Sequence, residues 1–262
     1  MSERLPLRTD EQVKIMAEEW TKKIVDPEVV LSKIKPGMSI FVGTGVAEPR
    51  TLIKHLMESD QKNLTDLDII QLLSLGDVIP PDERYADKYR LKTFFSMTKG
   101  YSAITSGQID WIPCILSQIP HLFKTDVVKI DVAFVQITPP DRRGLCSLGV
   151  STDVAKYAIE RAALVVGEIH EQIPYTFGDT FIHVNDFHYL IRATEPLMYI
   201  PRWPVDETFD RVAAHTASVI DDGSCLAFFF GPLYEALVKD IARKRYLGIH
   251  SLTFTDPRMD LM

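Results

Sequence analysis

The sequence predicts an α/β protein, an open, mostly parallel sheet flanked by helices and followed by a partial second α/β unit. Apolar runs of five to seven residues, bounded by Gly, Pro and Asp, recur along the chain between stretches with helical spacing. Such runs suit strands buried on both faces, the condition of a parallel sheet covered by helices. Near residues 194 to 206, TEPLMYIPRWPVDE carries three prolines and no periodicity, so it reads as a crossover after which the pattern restarts. The expected domains are residues 1–195 and 206–262.

In chain order, an amphipathic opening fits a helix over about residues 10 to 25, and DPEVVLSKIKPG fits a short helix stopped by Pro36 and Gly37. MSIFVGTG follows as a strand and TLIKHLMES as a helix; LDIIQLLSLG, LKTFFSM and IDVAFVQIT are extended, TDVAKYAIERA is helical, and ALVVGEIH is a further strand. Past the crossover, ETFDRVAAHTASVI and GPLYEALVKDIARKRYLG are helical, while SCLAFFF and IHSLTFT are buried strands. Two strands and two helices are fewer than a parallel sheet uses to close its edges, so the second unit reads as truncated. A homo-oligomer, or a partner completing the second domain, is expected to cover that edge.

Composition excludes several classes. At 262 residues and 46% hydrophobic content the chain can bury a large core. A balance of 29 basic against 36 acidic residues, net charge −7, argues against nucleic acid as the main partner, since that requires a concentrated basic face. The opening MSERLPLRTDEQ has no apolar signal core, and no window approaches the roughly 18 to 20 apolar residues of a membrane span. The expectation is a soluble, cytoplasmic protein with no membrane partner. Cys114, Cys146 and Cys225 lack paired spacing and read as reduced thiols acting as small buried hydrophobes. The histidines show no metal-ligand spacing, and neither HExxH nor Gly-x-Ser-x-Gly occurs, so metal and serine-hydrolase chemistry are not expected. The aromatic residues of RWP, WIP and FFF read as core.

Two stretches point to a site. FVGTGVAEPR, residues 41 to 50, runs from a strand through a glycine turn into a helix with Pro49 at its first position. Amides at such a helix start favour phosphate or carboxylate, although the same turn can be purely structural, and Glu48 places a negative charge there. TPPDRRGLCSLGVSTD, residues 138 to 153, is a long loop at the end of a buried strand, with capping residues from Ser151 to Asp153. α/β sheets place ligands at such loops, and Arg142 and Arg143 could reach a phosphate; a structural loop with solvated arginines is the competing reading.

Together with IKPGMSIFVGTGVAEP, IDWIPCILSQIPHLF, IPYTFGDTFIHV, DDGSCL and LGIHSLTFTDPRMDL, in that order over about residues 30 to 262, the passage IDVAFVQITPPDRRGLCSLGVSTD resembles the acetyl-CoA hydrolase/transferase family of class I CoA-transferases, which includes 4-hydroxybutyrate CoA-transferase. The resemblance implies a CoA-transferase-like fold of two similar open α/β domains with the acyl-CoA site in the cleft between them. It implies coenzyme A as substrate or ligand, no covalently bound cofactor, and a small carboxylate such as acetate as acceptor. Gly43, Gly45, Glu48, Gly144, Ser147, Gly149 and Gly231 are the residues it suggests for coenzyme A binding or the cleft. In this family a glutamate attacks the thioester and carries CoA as a glutamyl thioester, while amides of a glycine-rich loop stabilise the oxyanion.

That glutamate lies in a passage like LGIHTEMFSDG, and the corresponding position here is Leu252. Where relatives carry a passage like LGIGGIP, this chain has FFFGPLY, residues 228 to 234, keeping one glycine at Gly231 and placing Pro232, which has no N–H, in the loop. Two readings stay open: an acyl-CoA transferase or hydrolase, or part of one, whose glutamate comes from elsewhere, and a catalytically silent protein that binds CoA or a partner.

Overall fold

The computed structural model describes residues 19–73, 85, 87–95, 101–227 and 229–261. Two compact units divide the chain, residues 1–198 and 199–262. The expected opening helix falls mostly outside the described residues. Its described end is over by Thr21, because Ile24 forms a parallel bridge with Leu190 rather than continuing a helix.

In the first unit the strands are β1 (Ser39–Val42), β2 (Leu67–Gln71), β3 (Tyr89–Thr93), β4 (Ile109–Trp111), β5 (Val132–Ile137), β6 (Leu145–Ser147), β7 (Leu164–Ile169), β8 (Phe181–His183) and β9 (Tyr189–Arg192). The helices are α1 (Pro27–Leu31), α2 (Arg50–Glu58), α3 (Tyr101–Thr105), α4 (Ile119–Lys124) and α5 (Ala155–Arg161). Seven strands form one sheet in the order β4-β3-β2-β1-β5-β7-β9, every pair parallel. β6 and β8 make a separate antiparallel pair, with Cys146 opposite Ile182.

Side chains alternating along each strand divide the core. Ile40, Val42, Ile69, Val132, Phe134 and Val166 pack with Leu31 of α1 and Leu52, Ile53 and Leu56 of α2. Phe41, Ile70, Ala133, Val135, Ile137 and Val165 pack on the other face with Phe123 of α4 and Ala158 and Ile159 of α5. β5 is buried along its whole length, as its unbroken apolar run requires. The α1 start is set by Asp26, whose carboxylate accepts from the Glu28 amide at 2.9 Å, and α1 ends at Leu31, before the expected stop at Pro36.

The β9 edge is sealed by the segment ahead of α1. The Lys23 ammonium donates to the carbonyls of Val184, Asn185 and Phe187 at 3.1, 3.1 and 2.7 Å, closing the turn that leads into β9. Burial lowers its pKa, while Asp186 opposes that shift. Lys23→Met, which keeps the stem and removes the donors, is expected to cost roughly 1–3 kcal/mol in a urea unfolding titration. A variant as stable as the parent would show that water replaces the ammonium at no cost.

The second unit contains α6 (Glu207–Ser218), β10 (Cys225–Leu226), α7 (Pro232–Ile241), β11 (Gly248–Ile249) and α8 (Asp256–Met259). Ala213 and Ala217 of α6 pack on Ala236, Leu237 and Ile241 of α7. Here the sequence expectation needs correction. Among the described residues only Cys225–Leu226 pairs with Gly248–Ile249, and the last ladder bond runs from the His250 amide to the Leu226 carbonyl at 2.9 Å. The first of the two segments enters α7 through Gly231 at φ 136°. IHSLTFT is therefore not a buried strand: Leu252 is 85% exposed and Phe254 63%. Nor do all three cysteines act as buried hydrophobes, since Cys146 is buried, Cys114 half-buried and Cys225 exposed. Trp111, expected in the core, is 54% exposed, with its indole N–H on the Phe94 carbonyl. Among the described residues no helix is long and apolar enough to cross a membrane.

Candidate functional site

From β1 the strand order proceeds outward in both directions, through β2, β3 and β4 on one side and through β5, β7 and β9 on the other. A parallel sheet leaves a crevice outside the carboxyl ends of the strands where its order reverses, and that is where such folds hold ligands. The loops flanking this switch point are 43–49, after β1, and 138–153, after β5. They are the two stretches singled out in the sequence.

The first loop begins by extending the sheet, with the Gly43 amide on the Phe134 carbonyl and the Gly45 amide on the Leu73 carbonyl, both at 2.9 Å. A side chain at Gly43 would meet the Ala47 carbonyl oxygen at 2.7 Å, so this short turn closes only over glycine. Glu48 is buried, and its carboxylate accepts from the Gln71 amide group at 3.0 Å. The buried oxygens Thr44 Oγ1, Gln71 Oε1 and Gln136 Oε1 have no hydrogen-bond partner among the described residues. Oxygens of that kind call for ordered water or the donor groups of a ligand.

The start of α2 does not offer its amides to an outside anion. Glu168, next to the carboxyl end of β7, accepts from the Thr51 amide at 3.3 Å and from the Leu52 amide at 2.9 Å. The chain's own carboxylate thus fills the helix-start position that the sequence suggested for phosphate. Glu168 is fully buried, and desolvation pushes its pKa up to about 7 against the opposing pull of those amides. Pro49 precedes α2 as its cap rather than serving as its first residue.

The second loop is built round Asp141 and Ser147. Asp141 Oδ1 accepts from the amides of Arg143 and Leu145, each at 2.8 Å, and Oδ2 from the Tyr175 hydroxyl at 3.2 Å. Gly144 completes that turn at φ 79°, its amide on the Asp141 carbonyl at 2.9 Å. The fully buried Ser147 Oγ receives the Gly149 amide at 3.0 Å and the Thr176 amide at 3.3 Å, and lies 3.1 Å from Thr176 Oγ1. These bonds join the 138–153 loop to the 170–181 loop and occupy the serine. Gly149 has φ 67° and packs on Ile173. Beside it Cys146 is buried, and desolvation, with a smaller contribution from Asp141, pushes its thiol pKa up to about 12. Neither Ser147 nor Cys146 is placed as a nucleophile.

Gly231 and Leu252 belong to the second unit. Phe230 stacks on Trp203 with ring centroids 5.3 Å apart. The buried guanidinium of Arg258 donates to the Phe229 carbonyl, to the Thr253 carbonyl and, at 2.9 Å, to Thr253 Oγ1. It ties together the two passages that the resemblance assigns to the oxyanion loop and the nucleophile. Arg258 was given no role from the sequence, since its main partners are backbone carbonyls, which no residue type announces. Glu168 did leave a trace, a charge inside an apolar strand. Among the described residues no three His, Cys, Asp or Glu side chains are grouped to hold a metal.

Comparison with known proteins agrees with this architecture. Residues 7–201 match the model of the acetyl-CoA hydrolase/transferase N-terminal domain. The chain belongs to the acetyl-CoA hydrolase/transferase family. It is 32% identical over 243 residues to a 4-hydroxybutyrate coenzyme A transferase of Clostridium kluyveri, covering 93% of this chain and 56% of that one. A succinyl-CoA:acetate/propanoyl-CoA:succinate CoA transferase of Fasciola hepatica is 31% identical over 231 residues, covering 87% and 48%. Among solved structures, a 4-hydroxybutyrate CoA-transferase from Porphyromonas gingivalis superposes with a TM-score of 0.74 at 26% identity, covering 93% of this chain and 57% of that one. The chain therefore spans about half the length of the relatives it matches.

Proposed function

We propose that this chain is a coenzyme A thioester-binding member of its family, serving transfer of CoA between a short acyl-CoA and acetate or a similar carboxylate, and that it carries no glutamate nucleophile of its own. The observation behind the binding half is that the Gly43–Glu48 and Gly144–Gly149 segments follow the adjacent strands β1 and β5 at the sheet's switch point. For the binding cleft the candidates are Gly43, Gly45, Glu48, Gly144 and Gly149, with Ser147 as the residue that holds the second loop in shape. The negative half is supported by Leu252, a side chain with no lone pair, exposed on a bend with no polar group of its own. Catalytic silence, with retained CoA or partner binding, is the corresponding second reading for the chain alone.

Incubation with acetyl-CoA or butyryl-CoA and acetate, followed by hydroxylamine or borohydride trapping, is expected to yield no adduct. A glutamyl-CoA adduct on any residue of the chain would overturn the proposal. Leu252→Glu is expected not to recover transfer. Its carboxylate would be exposed to solvent, since position 252 lies on an exposed bend and not in the buried strand expected of IHSLTFT. What it would lack is an oxyanion partner, because Pro232 has no N–H to give. Loss of one such donor costs roughly 100- to 1000-fold in turnover elsewhere. Robust transfer by this single variant would mean that the 229–232 loop is competent as it stands.

A further inference from the structure

The 170–181 loop is fastened at nearly every polar residue, yet it displays its aromatic rings to solvent. Gln172 donates its amide to His170 Nδ1 at 3.2 Å, Thr176 Oγ1 donates to the Gly149 carbonyl at 2.7 Å, and Thr180 Oγ1 to the Thr176 carbonyl at 2.8 Å. Asp179 is ion-paired with Lys156 of α5. Gly178, at φ 103°, turns the chain just past Phe177, in a conformation that residues bearing a Cβ rarely adopt. On this frame Phe177 is 83% exposed and Tyr175 38%. Their ring centroids are 5.7 Å apart, and Phe181 lies 5.2 Å from Tyr175 and 6.4 Å from Phe177. A fastened loop that holds a phenylalanine in water keeps apolar surface exposed, and a ligand in contact with the ring would remove that surface from water.

The charge beside the rings identifies the ligand chemistry. Arg142 and Arg143 are exposed on the turn that Asp141 organises, and neither guanidinium has a partner among the described residues. The same Asp141 holds the Tyr175 hydroxyl, and the Arg143 charge acts on that phenol. The acids nearby are engaged: Asp141 by two amides and the tyrosine, Asp179 by Lys156, and Glu171 by Arg192 at 3.7 Å. Exposed rings next to two uncommitted guanidiniums fit a planar base bearing phosphates, because a base stacks on a ring face and phosphate oxygens take the planar fork of arginine.

We propose that Tyr175 and Phe177, with Arg142 and Arg143, bind the adenine nucleotide portion of coenzyme A. This rests on the reading of the chain as a coenzyme A-binding protein and assigns one end of that ligand. The more exposed Phe177 ring stacks the adenine with the edge-on Tyr175 ring beside it, and the arginines take the phosphates.

The test is calorimetric titration of the whole chain with coenzyme A, adenosine 3′,5′-bisphosphate, ADP and pantetheine. Phe177→Ala and the Arg142→Ala/Arg143→Ala pair alter exposed side chains, and circular dichroism checks that both variants stay folded. Phe177→Ala is expected to weaken coenzyme A and the bisphosphate by roughly 10-fold, Phe177→Trp to restore binding, the arginine pair to reduce the salt dependence, and pantetheine to be unaffected. Coenzyme A bound equally by parent and variants would overturn this inference and leave the proposed function standing. Bisphosphate bound by the parent and lost in the variants, with no coenzyme A binding, would keep the nucleotide site but overturn coenzyme A as its occupant together with the proposed function. ADP bound as tightly as coenzyme A would reassign the site to a free nucleotide, and no binding of any probe would overturn both readings.

Discussion

Glu168→Gln is expected to remove a fall in stability that the parent chain shows as pH rises from about 4.5 to about 7. The folded-state pKa is pushed up to about 7 from an ordinary 4.5, chiefly by desolvation. A carboxyl group raised in this way holds its proton more tightly in the folded state. Its contribution is therefore fully present below pH 4.5 and is lost as pH rises through about 7. A shift of that size corresponds to roughly 3 kcal/mol at about 1.4 kcal/mol per pH unit. The glutamine cannot ionise, although one of its hydrogens faces the Thr51 or Leu52 amide, so it starts from a somewhat lower plateau. Urea titrations of both proteins at pH 4.5, 6 and 8 separate the plateau from the slope. Equal slopes would show that Glu168 is ionised throughout and that the amides of α2 outweigh its burial.

Gly149→Ala is expected to be the most damaging single methyl in the 138–153 loop. Its φ of 67° lies in the left-handed region, which costs a side-chain-bearing residue roughly 1–2 kcal/mol. The new Cβ would also lie 2.1 Å from Ile173 Cγ2, a buried atom in the loop that carries Tyr175. Overpacking of this kind costs roughly 1–3 kcal/mol more. Gly107→Ala is the matched control, with φ 77° and nothing within 4 Å of its Cβ, so it carries the backbone cost alone. A second control, Gly149→Ala with Ile173→Ala, should recover part of the loss, because the clash is then absent. If Gly149→Ala costs no more than Gly107→Ala, the two loops are not packed as tightly as the geometry indicates. Should the double variant fall by the sum of the singles, the contact with Ile173 is not the cause.

The central strands of the large sheet were legible because their environment is uniform, whereas the short edge strands β4 and β9 were not read. IDVAFVQIT and ALVVGEIH became β5 and β7 within a residue or two, since a strand covered on both faces must be apolar throughout. SCLAFFF and IHSLTFT have the same kind of composition, yet among the described residues only two of each pair. An apolar run records a preference for extended, buried backbone; a strand forms only where another supplies the ladder. The same limit applies to the site. Glycine turns after β1 and β5 could be read from residue type and position, because a short turn at a strand end selects glycine for its missing side chain.

The sequence by itself determined the α/β class, the strands β1, β2, β5 and β7 with the helices α1, α2 and α5, the two loops at the sheet's carboxyl edge and the leucine at position 252; β4 and β9 went unread, and LKTFFSM shares only Leu91–Thr93 with β3. Those properties follow from local rules: the period of apolar residues, the conformational freedom of glycine and the functional groups a side chain possesses. Only the tertiary structure decided what those groups touch. Glu168 meets the amides of Thr51 and Leu52 across more than a hundred residues, Ser147 is occupied by the loop at Thr176, and Arg258 reaches back to Phe229. Whether a carboxylate is a ligand, a base or an internal cap, and whether a hydroxyl is a nucleophile or a fastening, depends on neighbours that only the fold brings within hydrogen-bond distance.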